Sequence, residues 1–301
     1  MISASMSRPS AFQVWLAAAR PATLPAALSP VMVGTALAAS SGQMRLDRAL
    51  AALLGALLIQ IATNFYNDYA DFQKGADTEE RLGPPRATQK GWLLPSQVLW
   101  AAFLTFGLAT AVGVYLVAVA GWPVVFIGLL SIACGILYTG GPMPLAYHGL
   151  GDLFVMIFFG AVAVCGTYYV QALSWSFPVF WASLAVGALI TAILVVNNLR
   201  DYQTDEKAGK ITLVVRYGTT FGHFEYGALM VWAYGTPFFL CALAPDFYSL
   251  YCLLPLVSAP MALAACRRVW TGEGVALNPE LGATAKVGLI YSLLFSIGVV
   301  L

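Results

Sequence analysis

The sequence predicts an all-α protein, a multi-pass transmembrane helical bundle of about nine spans around a central cavity with a cytoplasmic polar cap. Three observations support this fold class. Of the 301 residues, 60% are hydrophobic and only 10% are charged, whereas an average soluble domain has about 25% charged residues. Apolar runs of the length needed to cross a bilayer recur along the whole chain. The lysines and arginines gather in alternate loops between those runs, which indicates a fixed orientation in a membrane.

The composition excludes several classes of protein. So few charged side chains cannot cover the surface of a soluble globular enzyme, and the apolar content excludes a disordered or collagen-like chain. The formal net charge of +1 gives no general attraction for nucleic acid, so no nucleic-acid partner is expected. The five cysteines have no paired spacing and lie in or beside apolar runs, which favours buried, inert thiols over a disulfide framework or a zinc site.

Each element of the bundle follows from the length of its apolar run. A bilayer core about 30 Å thick needs roughly 20 apolar residues per helix. The fourth run is short, and the eighth is interrupted by Pro255 and Pro260. The nine predicted spans are residues 23–39, 49–66, 98–120, 123–138, 153–173, 177–196, 224–244, 248–265 and 284–301.

The first 20 residues precede these spans and have a helical pattern of their own. Phe12, Trp15, Leu16 and Ala19 follow one another at the spacing of a single helix face. We therefore expect residues 1–20 to form an interfacial amphipathic segment on the membrane surface, rather than a signal peptide that is removed.

The distribution of cations predicts the orientation of the bundle. If the N-terminus is cytoplasmic, 13 of the 15 lysines and arginines lie on the cytoplasmic side, and only Arg45 and Arg48 lie on the other. This asymmetry follows the positive-inside rule. The expected location is the cell (inner) membrane, with the lipid bilayer as a partner and the polar loops in the cytoplasm.

Two polar segments begin before the apolar runs that carry them have ended. In the first, Asp68 and Asp71 share a helix face, and in the second a row runs from Asn197 through Asp201 to Asp205. Carboxylates at these spacings repel each other, so a cation is expected between them. Oxygen ligands without His or Cys suit Mg²⁺, which commonly bridges to phosphate oxygens.

The two polar segments resemble each other, which argues against the view that each is only a solvated helix end. One such segment alone would be read as a solvated helix end with locally paired charges. Two segments with the same Asn-x-x-x-Asp spacing, each after a span that enters the cytoplasm, favour a functional pair. They are consistent with one integral-membrane domain over 1–301 that contains parallel four-helix repeats at about 21–145 and 146–270.

Several further stretches form a recognisable set with these motifs. They are Arg20-Pro21-x-Thr23-Leu24-Pro25, Asn67-Asp68-x-x-Asp71, Asp71-Phe-x-Lys74-Gly75-Ala76-Asp77-Thr78, Tyr138-Thr139-Gly140-Gly141-Pro142, Gly149-Leu150-Gly151-Asp152, Gly166 to Gln171, and Asp201-x-x-x-Asp205-x-x-x-Gly209-Lys210. The set resembles the UbiA superfamily of intramembrane aromatic prenyltransferases, and within it the branch that prenylates 1,4-dihydroxy-2-naphthoate in menaquinone synthesis. The resemblance covers residues 20–220, and the last three spans match in hydropathy only.

The resemblance implies an enzyme that transfers a polyprenyl group from an allylic diphosphate to the naphthoate. The ring carbon that carries the carboxylate is prenylated, with loss of CO₂ and diphosphate, to give a demethylmenaquinone or its phylloquinone counterpart. It also implies that Mg²⁺ is bound by Asp68, Asp71, Asp201 and Asp205.

The chemistry of an allylic diphosphate extends this set of candidate residues. Cations should stabilise the departing diphosphate, amides should orient water or metal, and an aromatic ring should shield the allylic cation. Positive-inside anchoring is the alternative for Arg86 and Lys90, and an interface-belt position is the alternative for Tyr138. The candidates for diphosphate binding are Asn67, Arg86, Lys90, Asn197 and Lys210, and the catalytic candidates are Asp68, Asp71, Asp201, Asp205, Lys210 and Tyr138.

Two other functions fit part of the sequence. A prenyltransferase for another aromatic acceptor, such as 4-hydroxybenzoate, would keep the fold and the diphosphate site, although the Lys74-Gly75-Ala76-Asp77 run disfavours it. A secondary transporter or Mg²⁺ carrier would explain parallel repeats and intramembrane aspartates. The short, nearly apolar loops on the far side argue against transport, because they offer no matching entry for an ion.

Overall fold

A computed structural model describes residues 9–76 and 80–301 of the protein, and the regular structure in these ranges is helical. Residues 1–8 of the predicted amphipathic segment, and Asp77 and Thr78 of the first motif run, lie outside the described residues. The α-helices are α1 Ala11–Ala19, α2 Pro25–Ser40, α3 Leu46–Gln73, α4 Pro95–Ala120, α5 Pro123–Leu137, α6 Gly151–Val155, α7 Ala163–Ala172, α8 Phe177–Arg200, α9 Tyr202–Lys207, α10 Leu213–Tyr217, α11 Thr219–Leu243, α12 Ala259–Thr271 and α13 Asn278–Val300.

The helices confirm a multi-pass membrane protein, with a smaller number of clear spans than the sequence predicts. In the described part of the chain, seven helices are long and apolar enough to cross a membrane, or eight if the bent pair α1–α2 is counted as one span. The helix α5 is apolar but shorter. The all-helical bundle is therefore established, and the count of nine spans stays a prediction.

The outer surface of the bundle exposes large apolar side chains, as a surface in contact with lipid does. On α4, Trp100, Leu104 and Leu108 are each more than half exposed, and they succeed one another at four-residue intervals on one helix face. Soluble monomers rarely expose contiguous apolar surface of this kind. On the opposite face of α4, Ala102 and Phe106 are buried, and α4 packs along α3.

The centre of the bundle is α8, which packs against α11, α13 and the segment that joins α6 to α7. Small residues permit this close packing. A Cβ on Gly187 of α8 would lie 2.7 Å from the carbonyl oxygen of Met156 and 3.0 Å from the Cα of Gly160. Close backbone approach at small residues is the usual means of helix association in lipid, where helices gain nothing from hiding apolar surface.

The helix that contains Met156 and Gly160 changes its pitch midway. Between α6 and α7 the chain forms a π-helical segment, Met156–Val162, so that the predicted span 153–173 is a single helix with a wider central turn. Phe158, Phe159 and Val162 of this segment line the central cavity of the bundle. Wider turns of this type often occur beside functional sites.

Polar bonds inside the membrane join α11 to α13. Pro237 has no backbone N–H, and the helix therefore leaves the carbonyl of Ala233 without its usual donor. The buried hydroxyl of Tyr291 on α13 donates to that carbonyl at 2.8 Å. The pairing satisfies a backbone oxygen that has no water to bind in the bilayer.

The N-terminal helix is attached to α3 through its C-terminal turn. Ser10 caps α1 through a capping box with Gln13. The Asn64 amide of α3 donates to the carbonyl of Ala19 and to the Thr23 hydroxyl, each at 2.9 Å. The turn between α1 and α2 is thereby held against the half of α3 that carries the first acidic motif.

The tight contact at Gly187 gives a test of the fold. We expect Gly187→Ala to lower Tm by roughly 3–10 °C, because a Cβ at this position overpacks the α8 interface. The control is Gly107→Ala on α4, where a Cβ meets no atom within 4 Å and alanine is the better helix former. Thermal unfolding of both variants in detergent measures the difference. An equal Tm for the two variants would show that α8 is not closely packed at this glycine.

Candidate active site

A large cavity of about 1520 Å³ lies within the helical bundle. Most of its wall is apolar, and its lining includes Ala52, Ile59, Val117, Ile127, Val162 and Ile193 from several helices. The ends of α3 and α8 add charged and amide side chains. The cavity therefore has a long apolar part and a polar part where the two predicted motifs meet.

The last turns of α3 carry the first motif and hold the loop that follows the helix. Asp68 is buried, and its carboxylate accepts hydrogen bonds from the Thr88 hydroxyl and from the backbone N–H of Ala87. One turn later, Asp71 accepts from Arg86 at 2.9 Å and from the Tyr147 hydroxyl at 3.0 Å. The carboxylates thus fold the loop back over the helix end and bring Arg86 to the cavity.

The second motif is organised by a buried arginine at the end of α8. Arg200 donates from Nε and Nη2 to the two carboxylate oxygens of Asp201, at 2.8 and 2.5 Å. The same guanidinium donates to the Asn197 amide oxygen at 2.7 Å and to Asn278 on α13 at 3.1 Å. A two-pronged contact of this kind fixes both the position and the orientation of a carboxylate.

Lys210 completes the second motif after the short helix α9. Its ammonium lies 3.2 Å from Oδ2 of Asp205, and both side chains line the cavity. Burial raises the pKa of Asp205 to about 6, an effect that the nearby Lys210 opposes. Burial alone would lower the pKa of Lys210, but the carboxylates of Asp205, Asp71 and Asp201 outweigh it and raise that pKa above its ordinary value. Lys210 is therefore a cation in the polar part of the cavity.

The two motifs form one site. Asp71 of the first motif and Lys210 of the second line the same cavity, and the nearby carboxylate of Asp71 helps to raise the pKa of Lys210. The loop after α3 also reaches the second motif, because the Asn278 amide donates to the carbonyl of Leu82 at 2.9 Å. Gly83 leaves room for Arg200, since a Cβ there would lie 2.8 Å from its Nη2.

Tyr138 caps the C-terminal end of α5. It lines the cavity, and the neighbouring Gly151 allows its hydroxyl to pack against the start of α6. The next residue, Thr139, donates to the amide oxygen of Asn67 at 2.7 Å, and its carbonyl accepts from Lys74 at 2.6 Å. Burial lowers the pKa of Lys74, although Asp71 opposes this shift.

The structure gathers nine of the ten predicted site residues around the same cavity. The nine are Asn67, Asp68, Asp71, Arg86, Tyr138, Asn197, Asp201, Asp205 and Lys210. The tenth, Lys90, has an exposed side chain that is not among the cavity-lining residues. The interpretation of Lys90 as an anchor or surface cation agrees better with this position than a contact with diphosphate does.

Two residues that contact the motif aspartates, Arg200 and Tyr147, are not among those that the sequence predicts, each for a different reason. Arg200 counts in the sequence as one more cytoplasmic cation, although its spacing of three from Asn197 and its adjacency to Asp201 were available signals. Tyr147 gives no signal, because it stands far from Asp71 in the chain and reaches it only through the fold.

The site suits a divalent metal by the chemistry of its donors. Four carboxylates from two helix ends line one cavity, and they offer only oxygen, as Mg²⁺ prefers. Within the described ranges, no three acidic, His or Cys side chains are close enough together to hold a metal by themselves. Mg²⁺ does not require such a cluster, because it is usually held by one or two carboxylates together with waters and substrate phosphates.

Relatives with similar sequences cover nearly the whole chain. The chain is 39% identical over 283 residues to the 1,4-dihydroxy-2-naphthoate octaprenyltransferase of Mycobacterium tuberculosis, with 94% of this chain and 95% of the relative covered. It is 38% identical to the protein of the same name from Escherichia coli, with 96% of each covered. The mouse UbiA prenyltransferase domain-containing protein 1 is 32% identical, with 95% of this chain and 84% of that protein covered.

Solved structures share the fold at lower sequence identity. A UbiA homolog from Archaeoglobus fulgidus bound to GPP and Mg²⁺ has a TM-score of 0.69 at 17% identity, with 95% of this chain and 99% of that chain covered. The apo structure of a UbiA homolog from Aeropyrum pernix has a TM-score of 0.71 at 14% identity, with 90% and 97% covered. The profile of the UbiA prenyltransferase family matches residues 27–279. The chain belongs to the UbiA prenyltransferase family.

Proposed function

We propose that this protein transfers a polyprenyl group from an allylic prenyl diphosphate to 1,4-dihydroxy-2-naphthoate, with loss of CO₂ and diphosphate, in an Mg²⁺-dependent reaction. The product is a demethylmenaquinol, the reduced form of a demethylmenaquinone. The names of the relatives from M. tuberculosis and E. coli, at 39% and 38% identity over nearly the full chain, support this acceptor. The Mg²⁺ and GPP bound by a structural neighbour support the donor and the metal.

The observation that carries the proposal is the two-part cavity. A polyprenyl diphosphate has a long apolar tail and a strongly anionic head. The wall of the cavity of about 1520 Å³ is mostly apolar, and the cations that line it include Arg86, Arg200 and Lys210 beside the two motifs. The tail can remain in a membrane-like environment while the head meets fixed charges, so neither part of the substrate is placed in an unfavourable solvent.

The cations of the polar part have the charge and position to act on the leaving group. Heterolysis of the bond between C1 of the prenyl chain and the bridging oxygen leaves an allylic cation and free diphosphate. Lys210 and Arg200 can stabilise the charge that develops on the diphosphate, because they are already held in place by Asp205 and Asp201. Such preorganised charges need no reorientation during the reaction, and this lowers the barrier.

The site residues also protect the allylic cation until the acceptor reacts. Tyr138 lines the cavity next to Thr139, which contacts Asn67 of the first motif, and a ring at this position can stabilise a cation and exclude water. The naphthoate carbon that carries the carboxylate then forms the new C–C bond. The bond to the carboxylate breaks, CO₂ leaves, and its electron pair restores the aromatic ring, so the proposed chemistry consumes no proton.

The four aspartates are the residues that would hold the metal. Asp68 and Asp71 lie at the end of α3, and Asp201 and Asp205 lie after α8. When bound, Mg²⁺ supplies Lewis-acid stabilisation of the diphosphate. The present partners of these carboxylates are Thr88, Ala87, Arg86, Tyr147, Arg200 and Lys210, which keep the acidic groups compensated inside the protein.

We further propose that the site faces the cytoplasm from the cell (inner) membrane, with the N-terminus on the same side. The concentration of Lys and Arg in the loops at the site end of the bundle supports this orientation. The equivalent placement of the two motifs, each where a long helix ends at the cavity, also supports two parallel four-helix repeats within one domain.

Turnover by the purified protein tests the function. Detergent-purified protein with Mg²⁺, a short allylic diphosphate and 1,4-dihydroxy-2-naphthoate should give a prenylated product without the carboxylate, detected by mass spectrometry. EDTA should abolish the product, and excess Mg²⁺ should restore it. If product forms with 4-hydroxybenzoate but not with the naphthoate, the proposed diphosphate site stands and the proposed acceptor is wrong. Full turnover in EDTA would remove the metal from the mechanism.

The carboxylates of both motifs should contribute to catalysis. Asp68→Asn and Asp201→Asn should each lower kcat by about 10²–10³-fold, as the loss of a preorganised electrostatic group does elsewhere. Glu206→Gln is the matched control, because Glu206 lies on α9 beside Asp205 but is exposed. Steady-state kinetics and an unchanged Tm separate a catalytic loss from unfolding. Unimpaired kcat in both asparagine variants would contradict the assignment.

The two candidate lysines should differ in effect. Lys210→Gln should lower kcat/KM for the diphosphate by about 10²-fold or more, because Lys210 is a half-buried cation that lines the cavity. Lys90→Gln should change it by less than about twofold, since the exposed charge is screened by solvent. An equal loss of kcat/KM in both variants would show that Lys90 also contributes to diphosphate binding.

A further inference from the structure

We propose that Cys241 and Cys252 form a disulfide bond at the end of the bundle opposite the active site. The two sulfur atoms lie 3.0 Å apart, and the residues are 11 positions apart in the chain. Cys241 stands two residues before the end of α11, and Cys252 lies in the 3₁₀-helical segment Leu250–Ser258 that leads into α12. The pairing differs from the sequence-based expectation of inert, separate thiols, because only the fold brings these two positions together.

The geometry of the pair is close to that of a bond. A disulfide has a sulfur–sulfur distance of about 2.0 Å, so closure requires a movement of about 1 Å. Each thiol also has a backbone neighbour on the other segment. The Sγ of Cys241 is 3.6 Å from the carbonyl oxygen of Ser249, and the Sγ of Cys252 is 3.6 Å from that of Pro237.

The backbone around Cys252 is held firmly in this position. Cys252 is fully buried, and α13 approaches it at Gly298, where a Cβ would lie 3.2 Å from the Cα of Cys252 and would overlap the carbonyl of Tyr251. Tyr248 anchors the same turn, since its hydroxyl donates to the carbonyl of Pro178 at 2.8 Å. A pair held in register before oxidation loses little further freedom when the bond forms.

The position of the pair in the membrane determines its redox environment. The helix α11 begins at Thr219, shortly after the site residue Lys210, and Cys241 lies about 33 Å further along at ~1.5 Å per residue. This places the pair on the far side of the membrane from the site. With the proposed cytoplasmic site, the pair faces the extracytoplasmic side, where disulfides form and persist. The inference rests on that proposed orientation and not on the proposed reaction.

The oxidation can proceed by thiol–disulfide exchange with an extracytoplasmic protein disulfide. Cys241 is partly exposed, so its thiolate is the one able to attack the oxidant. The attack breaks the disulfide of the oxidant and forms a mixed disulfide. The thiolate of Cys252 then attacks the Cys241 sulfur of the mixed disulfide, which forms the Cys241–Cys252 bond and releases the oxidant sulfur that was bonded to Cys241. Two thiols of this protein lose two electrons and two protons in total, and the oxidant disulfide becomes a dithiol.

The other three cysteines provide internal controls. All five cysteines lie in the part of the chain that the structure describes. In that part, no sulfur contact joins Cys134, Cys165 or Cys266 to another cysteine. Cys266 is a suitable control, because it lies on α12, the helix that follows the segment carrying Cys252, and is also partly buried.

Thiol trapping on cells that make the full chain tests the bond directly. Cells are denatured in the presence of a light maleimide, and the protein is then purified, reduced and labelled with a heavy maleimide. Chymotrypsin is used because no Lys or Arg lies between the two cysteines, whereas Phe247 and Tyr248 do. We expect heavy label on Cys241 and Cys252 and light label on the other three. Light label on Cys241 and Cys252 overturns the proposal.

Stability provides the second measurement. A reductant should lower Tm of the natural protein and of Cys266→Ser by several degrees, and it should leave Cys241→Ser and Cys252→Ser unchanged, because these have no bond to lose. Prenyl transfer should persist in Cys241→Ser, so failure of the transfer assay and failure of this inference are separate results. A Tm of the natural protein that does not respond to reductant, or an equal response in Cys241→Ser, contradicts the bond.

Discussion

The structure depends on the need to keep buried carboxylates compensated inside an apolar bundle. An unpaired charge in this environment is costly, so each acidic side chain of the site has a specific partner. Asp68 binds a backbone N–H and a hydroxyl, Asp71 binds Arg86, and Asp201 binds Arg200. These pairs also determine the shape of the polar part, because the partners of Asp68 and Asp71 lie on the loop that covers it. The contacts that compensate Asp68 and Asp71 therefore also hold the loop over the polar part of the cavity.

The rest of the bundle supplies a rigid frame for that polar part. Gly187 lets α8 pack closely against the π-helical segment Met156–Val162, and Tyr291 satisfies the carbonyl that Pro237 leaves without a donor. These contacts involve small side chains and internal hydrogen bonds, which are the means available to helices in lipid. The frame leaves the cavity open within the bundle while its outer surface, as at Trp100, remains lipid-compatible.

The sequence predicts the helices and the motif residues well because both have local signals. Apolar run length identifies the helices, and the repeated Asn-x-x-x-Asp spacing identifies Asp68 and Asp201 as parts of one site. Partners across the fold have no such signal. Tyr147 reaches Asp71 from 76 positions away, and Asn278 bridges Arg200 to Leu82. Lys90 stays a prediction: its charge and proximity suggested the diphosphate site, whereas its side chain is exposed and is not among the residues that line the cavity.

The compensated carboxylates have a consequence for how ligands bind. If Mg²⁺ is bound as proposed, the carboxylates of Asp201 and Asp205 are shared between the metal and the cations Arg200 and Lys210, and an anionic phosphate can then neutralise the excess positive charge. Metal and diphosphate should therefore bind with positive thermodynamic linkage, each raising the affinity for the other by the same factor. Either one alone has to overcome an existing ion pair. With the proposed metal ligands, we expect the resting protein to bind free metal or free anions weakly and to favour the two together.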